Sequence, residues 1–316
     1  MAGQLRVYRQ RAKAVRSTQK ITKAMELIAA SRIAKAQARM RAARPYAEEM
    51  TNALAALGGN ASLQHPMLTG VENPKRAGIL LITSDRGLAG GYSSNAIKRA
   101  NDVSARIESE GKEPVRYVIG RKGVGYYRFR RLEVAGAFTG FSEQPSYDAA
   151  KDAIDAVVAG LLATSERHVH NDDSQPLGID ELYLVSTHFE NSVTQIVTAA
   201  KISPVSVDAT EESDDDDAKK DGPQPQYDFE PDAAQLLDAL LPRYVGARIF
   251  TALLESATSE SAARRQAMKS ASDNADELIK TYVRLANQAR QAEITQEISE
   301  IVGGADALAS AGGDDR

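Results

Sequence analysis

Two long stretches without glycine or proline lie toward opposite ends of this chain, and they limit its fold more than any other feature. Neither residue occurs between Gln4 and Arg44, and at about 1.5 Å rise per residue these 41 positions make a helix of roughly 60 Å. The stretch from Ala247 to Val302 is also free of both over 56 positions, enough for roughly 84 Å of continuous helix. In the first, apolar or small residues fall at Leu5, Tyr8, Ala12 and Val15, and a second set follows at Ile21, Met25 and Ile28. In the second, Met268, Ala271, Ala275, Leu278, Tyr282, Leu285, Ala289 and Ala292 alternate steps of three and four, the heptad rhythm of a left-handed coiled coil. Ile294, Ile298 and Ile301 then shift phase, and the Gly303-Gly304 pair is expected to end the block. Neither narrow seam can be buried by its own helix, so the two are expected to pack on each other, antiparallel because the chain returns through a compact middle.

The middle changes period. Ala77 to Thr83, Val115 to Ile119, Glu181 to Ser186 and Val193 to Ala199 are short β-rich runs, the first almost continuously apolar as in a strand buried on both faces. Ser94 to Glu110 and Tyr147 to Ser165 read as crossover helices. The expected fold class is therefore α/β, with a long antiparallel two-helix coiled coil formed by the N- and C-terminal helices and a central Rossmann-like α/β domain with a largely parallel sheet. The expected organisation is an N-terminal coiled-coil helix over 1–60, an α/β domain over 75–207 carrying a polar loop at 166–178, a disordered acidic link over 208–226 and a C-terminal coiled-coil helix over 230–309.

Composition narrows the chemistry. There is no cysteine, which excludes a disulfide framework and a thiolate metal site, and no tryptophan, with 5% aromatic residues overall. No apolar run reaches the length of a membrane span, and the basic N-terminus has no apolar core of an export signal. Residues 1–44 hold twelve Lys or Arg against the single acid Glu26, a local charge of +11 inside a chain whose net charge is -4. Such a stripe suits nucleic acid, anionic lipid or an acidic protein surface. The lack of interleaved aromatic residues favours a protein partner over nucleic acid, and a basic coiled-coil nucleic-acid-binding protein is the alternative reading.

No catalytic centre emerges. The loop Asp85, Arg86, Gly87, Leu88, Ala89, Gly90, Gly91 follows the first strand where a phosphate loop would lie, yet it matches neither G-x-G-x-x-G nor G-x-x-x-x-G-K-[ST]. A tight turn whose glycines supply unusual backbone angles is expected in its place. His168 and His170, followed by Asp172 and Asp173, offer only a weak metal motif on a polar loop, and no Ser/His/Asp set stands out. No cofactor and no metal are expected.

Several segments together resemble the F-type ATP synthase gamma family. They are Thr18-Gln19-Lys20-Ile21-Thr22-Lys23-Ala24-Met25 with Ala29-Ala30-Ser31, the loop Ser84 to Gly91 (with Ala89 where many members carry cysteine), Ser259-Glu260 through Arg264, Ala267-Met268-Lys269, and Ala289-Arg290-Gln291-Ala292 with Ile294-Thr295-Gln296-Glu297-Ile298 and Gly303-Gly304-Ala305. The resemblance is to the bacterial type, with two polar insertions. It implies a central-stalk rotor subunit, not catalytic by itself, that couples proton flow through a membrane c-ring to ATP synthesis and hydrolysis. The implied partners are the alpha and beta subunits of the hexamer, the epsilon subunit and the c-ring, on the cytoplasmic face of the plasma membrane, peripheral and without insertion. It also implies that Met25, Lys20, Lys23, Arg290, Gln291, Thr295 and Gln296 transmit torque to the beta subunits. The polar loop 166–178 is expected to touch the stator or ring and modulate rotation.

Overall fold

The computed structural model describes residues 2–58, 65–167, 177–205 and 233–311. The acidic link 208–226 and the histidine motif at 168–173 lie outside these residues, as does most of the polar loop 166–178. Two compact units are present, one built from residues 1–28 and 265–316, the other from residues 29–264.

The first unit is the paired part of two long helices, α1 (Ala2–Gly58) and α6 (Ala233–Ala311). Gln19 Nε2 donates to Asp276 Oδ1 at 3.5 Å, and the hydroxyls of Thr22 and Ser272 lie 2.7 Å apart. Stepping back three residues on α1 moves the contact forward four on α6, so the helices run antiparallel. On α1 the inward positions are Leu5, Tyr8, Ala12, Val15, Gln19, Thr22 and then Met25 with Glu26, an unbroken heptad. The expected Ile21 and Ile28 instead face outward, 61% and 53% exposed. On α6 the seam is Met268, Ser272, Ala275, Ile279, Tyr282, Ala286 and Ala289. Half of the expected seam is thus displaced by one residue, with Ile279 9% exposed where Leu278 is 48%. The displacement follows from Ser272: a polar side chain occupies a seam position because Thr22 supplies its partner.

The second unit is a three-layer α/β body. Its sheet has the order β3-β2-β1-β4-β5, from β1 (Arg76–Ile82), β2 (Glu113–Ile119), β3 (Gly136–Phe138), β4 (Glu181–Phe189) and β5 (Gln195–Ser203). The first four are parallel, and β5 returns antiparallel on β4. One face carries α3 (Tyr92–Ser109) and α4 (Arg121–Arg130), and its core joins Ile79, Leu81 and Val185 to Ala100, Ile107 and Tyr127. The other face packs Leu80, Ile82 and Leu184 against α5 (Tyr147–Arg167) and against residues of α1 and α6, among them Leu57, Leu241 and Ile249. Strand β1 is buried on both faces, which is why its sequence is nearly all apolar. A four-residue helix, α2 (Pro66–Thr69), adds Met67 to that second core.

Helices α1 and α6 continue through residues that sequence reasoning treats as breakers. Pro45 lies inside α1, Pro242 inside α6, and α6 runs on through Gly303 and Gly304, which were expected to end it. Within α6, Gly246 serves close packing, since a Cβ there would lie 3.1 Å from Ile154 Cγ2 on α5. Helix α4 and strand β3 are absent from the sequence expectation. The two glycines of α4 hid its pattern, and Gly123 is needed because a side chain would collide with Val118 Cγ1 at 2.7 Å.

Candidate functional site

The carboxyl ends of parallel strands, beside the point where strand order reverses, are where open α/β sheets bind ligands. In this sheet the reversal lies between β1 and β4. The space is filled by the chain itself. Ser256, Ser259, Glu260 and Ser261 of α6 are each at most 1% exposed. The Thr187 amide at the end of β4 donates to Ser256 Oγ at 3.3 Å, and Ser259 Oγ donates to the Thr187 carbonyl at 3.1 Å. From the other side, the Tyr92 hydroxyl donates to the Ser256 carbonyl at 3.1 Å, and burial holds that phenol far above its ordinary pKa.

The glycine loop between β1 and α3 is closed in a similar way. Asp85 Oδ2 accepts the amides of Gly140 (2.8 Å) and Ser142 (3.0 Å), while its Oδ1 accepts the Arg121 amide at the start of α4 (3.1 Å). The Lys122 amide goes to the Ser84 carbonyl and the Gly123 amide to Thr83 Oγ1, each at 3.0 Å. A helix N-terminus that could receive a phosphate therefore receives a carboxylate of its own chain. The loop's left-handed residues are Gly90 (φ 56) and Leu88 (φ 64). The expectation that its glycines supply the unusual angles holds for Gly90 but not for Gly87 or Gly91, and a leucine supplies the second. Gly120, just before α4, has φ 98, and a Cβ there would meet the Thr83 carbonyl oxygen at 2.1 Å, so the position admits glycine alone.

Where the loop meets α6, a buried charge cluster joins four segments. Arg264 Nη2 donates to Glu260 Oε1 at 2.7 Å, one turn back on α6, and Arg264 Nη1 lies 3.1 Å from Glu143 Oε1. The same guanidinium reaches the carbonyls of Arg86 and Gly87, both at 3.4 Å. Glu143 also pairs with Arg32 of α1 and, at 3.8 Å, with Arg86. Burial raises the Glu260 carboxyl above its ordinary 4.5, and Glu143 adds to the rise while Arg264 opposes it. Arg264 and Glu260 stand out in the sequence as an i,i+4 pair among small residues and within the segment that resembles the family, but neither signal shows that they are buried together. Glu143, in the loop after β3, gives no signal in the sequence. Among the described residues, no group of three or more His, Asp or Glu is placed to hold a metal.

The candidate contact residues occupy the first unit and form two bands. Lys20, Lys23 and Met25 sit on α1 near the Thr22 level; Lys20 and Lys23 are exposed, and Met25 is half-buried beside the seam. Arg290, Gln291, Thr295 and Gln296 are exposed on α6. Since Thr22 faces Ser272, the second band lies about 20 residues, or roughly 30 Å, farther along the helix axis. Lys23 pairs with Glu26 at 3.0 Å, Thr295 Oγ1 donates to the Gln291 carbonyl at 2.9 Å, and Gln296 Nε2 donates to Glu300 at 2.9 Å. These contacts lie within single helices and leave the outward faces free. Within the second band Ile294 is 44% exposed, and beyond it Ile298, Ile301 and Val302 are exposed at 54% to 72%.

Comparison with known proteins agrees with this architecture. A sequence model of the ATP synthase family, described as "ATP synthase", matches residues 4–308. The ATP synthase gamma chain of Frankia casuarinae is 56% identical over 310 residues, covering 98% of this chain and 99% of the relative. That of Mycolicibacterium smegmatis is 50% identical over 312 residues, with the same coverage. Among solved structures, a chain of the Euglena gracilis mitochondrial ATP synthase, OSCP/F1/c-ring, aligns over 100% of this chain and 98% of its own, at a TM-score of 0.66 and 15% identity. A chain of the Tetrahymena thermophila mitochondrial ATP synthase central stalk and c-ring aligns over 80% of this chain and 99% of its own, at a TM-score of 0.54 and 20% identity.

Proposed function

The chain belongs to the ATP synthase gamma chain family, and we propose on that basis that it is the central-stalk rotor, mechanically coupling proton flow through a membrane c-ring to ATP synthesis and hydrolysis in an alpha-beta hexamer. The family favours this reading over the basic nucleic-acid-binding alternative. The observation that carries the mechanism is the antiparallel pair of α1 and α6, locked by Thr22 and Ser272 and bearing different side chains on each outward face. An asymmetric rod surrounded by three like subunits contacts each one differently, so it biases each toward a different conformation, and turning it shifts those populations in sequence. Apart from Met25 and the exposed Ile294, the two outward bands are polar and charged, which suits an interface that must be left and re-formed at each step, because an extended apolar contact would hold one angle.

In this reading Met25, Lys20 and Lys23 form one contact band with the beta subunits, and Arg290, Gln291, Thr295 and Gln296 form the other. The α/β body, residues 75–207, serves as a foot for the epsilon subunit and the ring. Asp85, Arg86, Gly87, Gly90 and Gly91 act structurally, tying that foot to α6 through Arg264. The chain is non-catalytic alone and peripheral on the cytoplasmic face of the bacterial plasma membrane. No helix among the described residues is long and apolar enough to cross a membrane. The polar loop 166–178 modulates rotation by touching the stator or ring. The test is affinity purification of the tagged chain from detergent-solubilised membranes of its own host. The reading expects hexamer subunits in a three to three to one ratio with it, and ATP hydrolysis uncoupled from proton flow once residues 290–316 are removed. Recovery of the chain alone, or unchanged coupling after truncation, overturns the reading.

A further inference from the structure

Beside the glycine loop, the second unit holds a cavity of about 310 Å³ whose lining joins separate segments of the chain. Arg32 comes from α1, Arg86 from the loop after β1 and Arg121 from the start of α4, while Asp85 and Glu143 supply the acids. Those acids have no oxygen to spare. Asp85 Oδ2 accepts the Gly140 and Ser142 amides, and its Oδ1 accepts the Arg121 amide. Glu143 Oε1 faces Arg264 at 3.1 Å, and its Oε2 pairs with Arg32. Arg86 and Arg121 therefore reach carboxylates only at 3.8 Å and 3.9 Å, beyond hydrogen-bond length, and their side chains are 72% and 68% exposed. Gln144 adds a carboxamide donor to the same lining.

We propose that this cavity binds a terminal phosphate, either inorganic phosphate or a phosphate monoester, with Arg86 and Arg121 as the main donors and Arg32 completing the set. Each guanidinium presents a planar fork of N–H groups that matches two oxygens of an oxyanion. Three forks around one concave site call for an anion with at least three free oxygens. A terminal phosphate has them. A carboxylate on an acidic protein surface has two, and the phosphodiester of a lipid or a nucleic acid has two non-bridging ones. The backbone amides at the start of α4 take no part, because Asp85 already holds the Arg121 amide; the site is made of side chains. Bound there, the phosphate ties α1, the glycine loop and α4 together. The proposal stands on this cavity and does not depend on the coupling role.

Equilibrium dialysis of radiolabelled inorganic phosphate against the full-length chain tests it, at an ionic strength of about 0.15 M, where diffuse attraction to the basic stretch of α1 is screened. One saturable site per chain is expected, together with an unfolding midpoint that rises with phosphate concentration. Arg86→Gln and Arg121→Gln are each expected to weaken binding on the order of 10-fold, and both together about 100-fold. Their exposure leaves the fold intact, which circular dichroism checks. Arg128→Gln, on α4 but outside the cavity lining, is expected to bind phosphate as the parent does. Glycerol phosphate, a soluble monoester, is expected to compete, whereas acetate, a glutamate-rich peptide and phosphatidylglycerol vesicles are not. The proposal is overturned if no saturable site is found, if Arg86→Gln with Arg121→Gln binds undiminished, or if Arg128→Gln loses as much as they do. Displacement of phosphate by the peptide or the vesicles as readily as by glycerol phosphate overturns it as well.

Discussion

Replacing Arg264 with Met should destabilise the α/β unit more than any other exchange of one charged side chain in it. The guanidinium side chain is 5% exposed, and it faces Glu260 (1%) at 2.7 Å and Glu143 (13%) at 3.1 Å. Methionine fills similar space but leaves Glu260 buried with no cation, and breaking a buried pair from one side costs about 3–5 kcal/mol. Two carbonyls of the glycine loop lose a donor as well. For a unit of this size each kcal/mol lowers the midpoint by about 2–4 °C, so the expected fall is about 6–20 °C. Thermal unfolding followed by circular dichroism reads this directly. The second arm is Glu260→Gln with Arg264→Met, which removes the stranded charge and should recover much of the loss, since Glu143 keeps Arg32 and Arg86. The pH dependence supplies a sign. Burial raises the Glu260 carboxyl above 4.5, so the folded state binds its proton more tightly than the unfolded state does. Stability linked to this group is complete below 4.5 and is lost as pH rises through the raised value. Arg264→Met removes the cation that opposes the rise, so the variant should lose stability with rising pH more steeply than the parent. A midpoint within 2 °C of the parent, or a double variant as unstable as the two single losses added, would refute the reasoning.

Other expectations follow from named contacts. Thr22→Val leaves Ser272 Oγ without its partner inside the seam and should cost about 1–3 kcal/mol, whereas Thr22→Val with Ser272→Ala should recover most of it; urea unfolding of both variants checks this. Glu181 is penalised by burial, but Lys201 at 2.9 Å and Lys112 at 3.0 Å outweigh that and hold its carboxyl below 4.5. Its contribution is therefore present above 4.5 and lost as pH falls through the lowered value, so the stability curves of parent and Glu181→Gln should converge in acid and separate toward neutral pH.

Much of this architecture is legible in the residues. The Leu5, Tyr8, Ala12, Val15 seam, the apolar β1 run and the crossover helices all follow from period, and the long helices from their lack of breakers. The failures have specific physical causes. The helices continue through Pro45, Pro242 and the Gly303-Gly304 pair, so reading these residues as breakers overweighted local propensity against the helix already propagating on either side. On α6 the apolar count favoured Leu278, yet the polar Thr22–Ser272 pair sets the register and turns Ile279 inward. In α4, glycine read as a breaker is a packing residue, since Gly123 lets the helix approach β2. The buried cluster was the least legible part. Glu143, Glu260, Arg264, Arg32 and Arg86 come from four separate segments, and only folding brings them together.

A disulfide across the seam tests the central claim that α1 and α6 turn as one locked body. The chain holds no cysteine, so Thr22→Cys with Ser272→Cys, at positions whose hydroxyl oxygens are 2.7 Å apart, provides a single possible bond within it. ATP hydrolysis by the hexamer assembled with this chain is measured after oxidation and again after reduction. The account predicts that the bond forms and that turnover is the same in both states. Failure of the bond to form, or turnover that collapses on oxidation and returns on reduction, contradicts it.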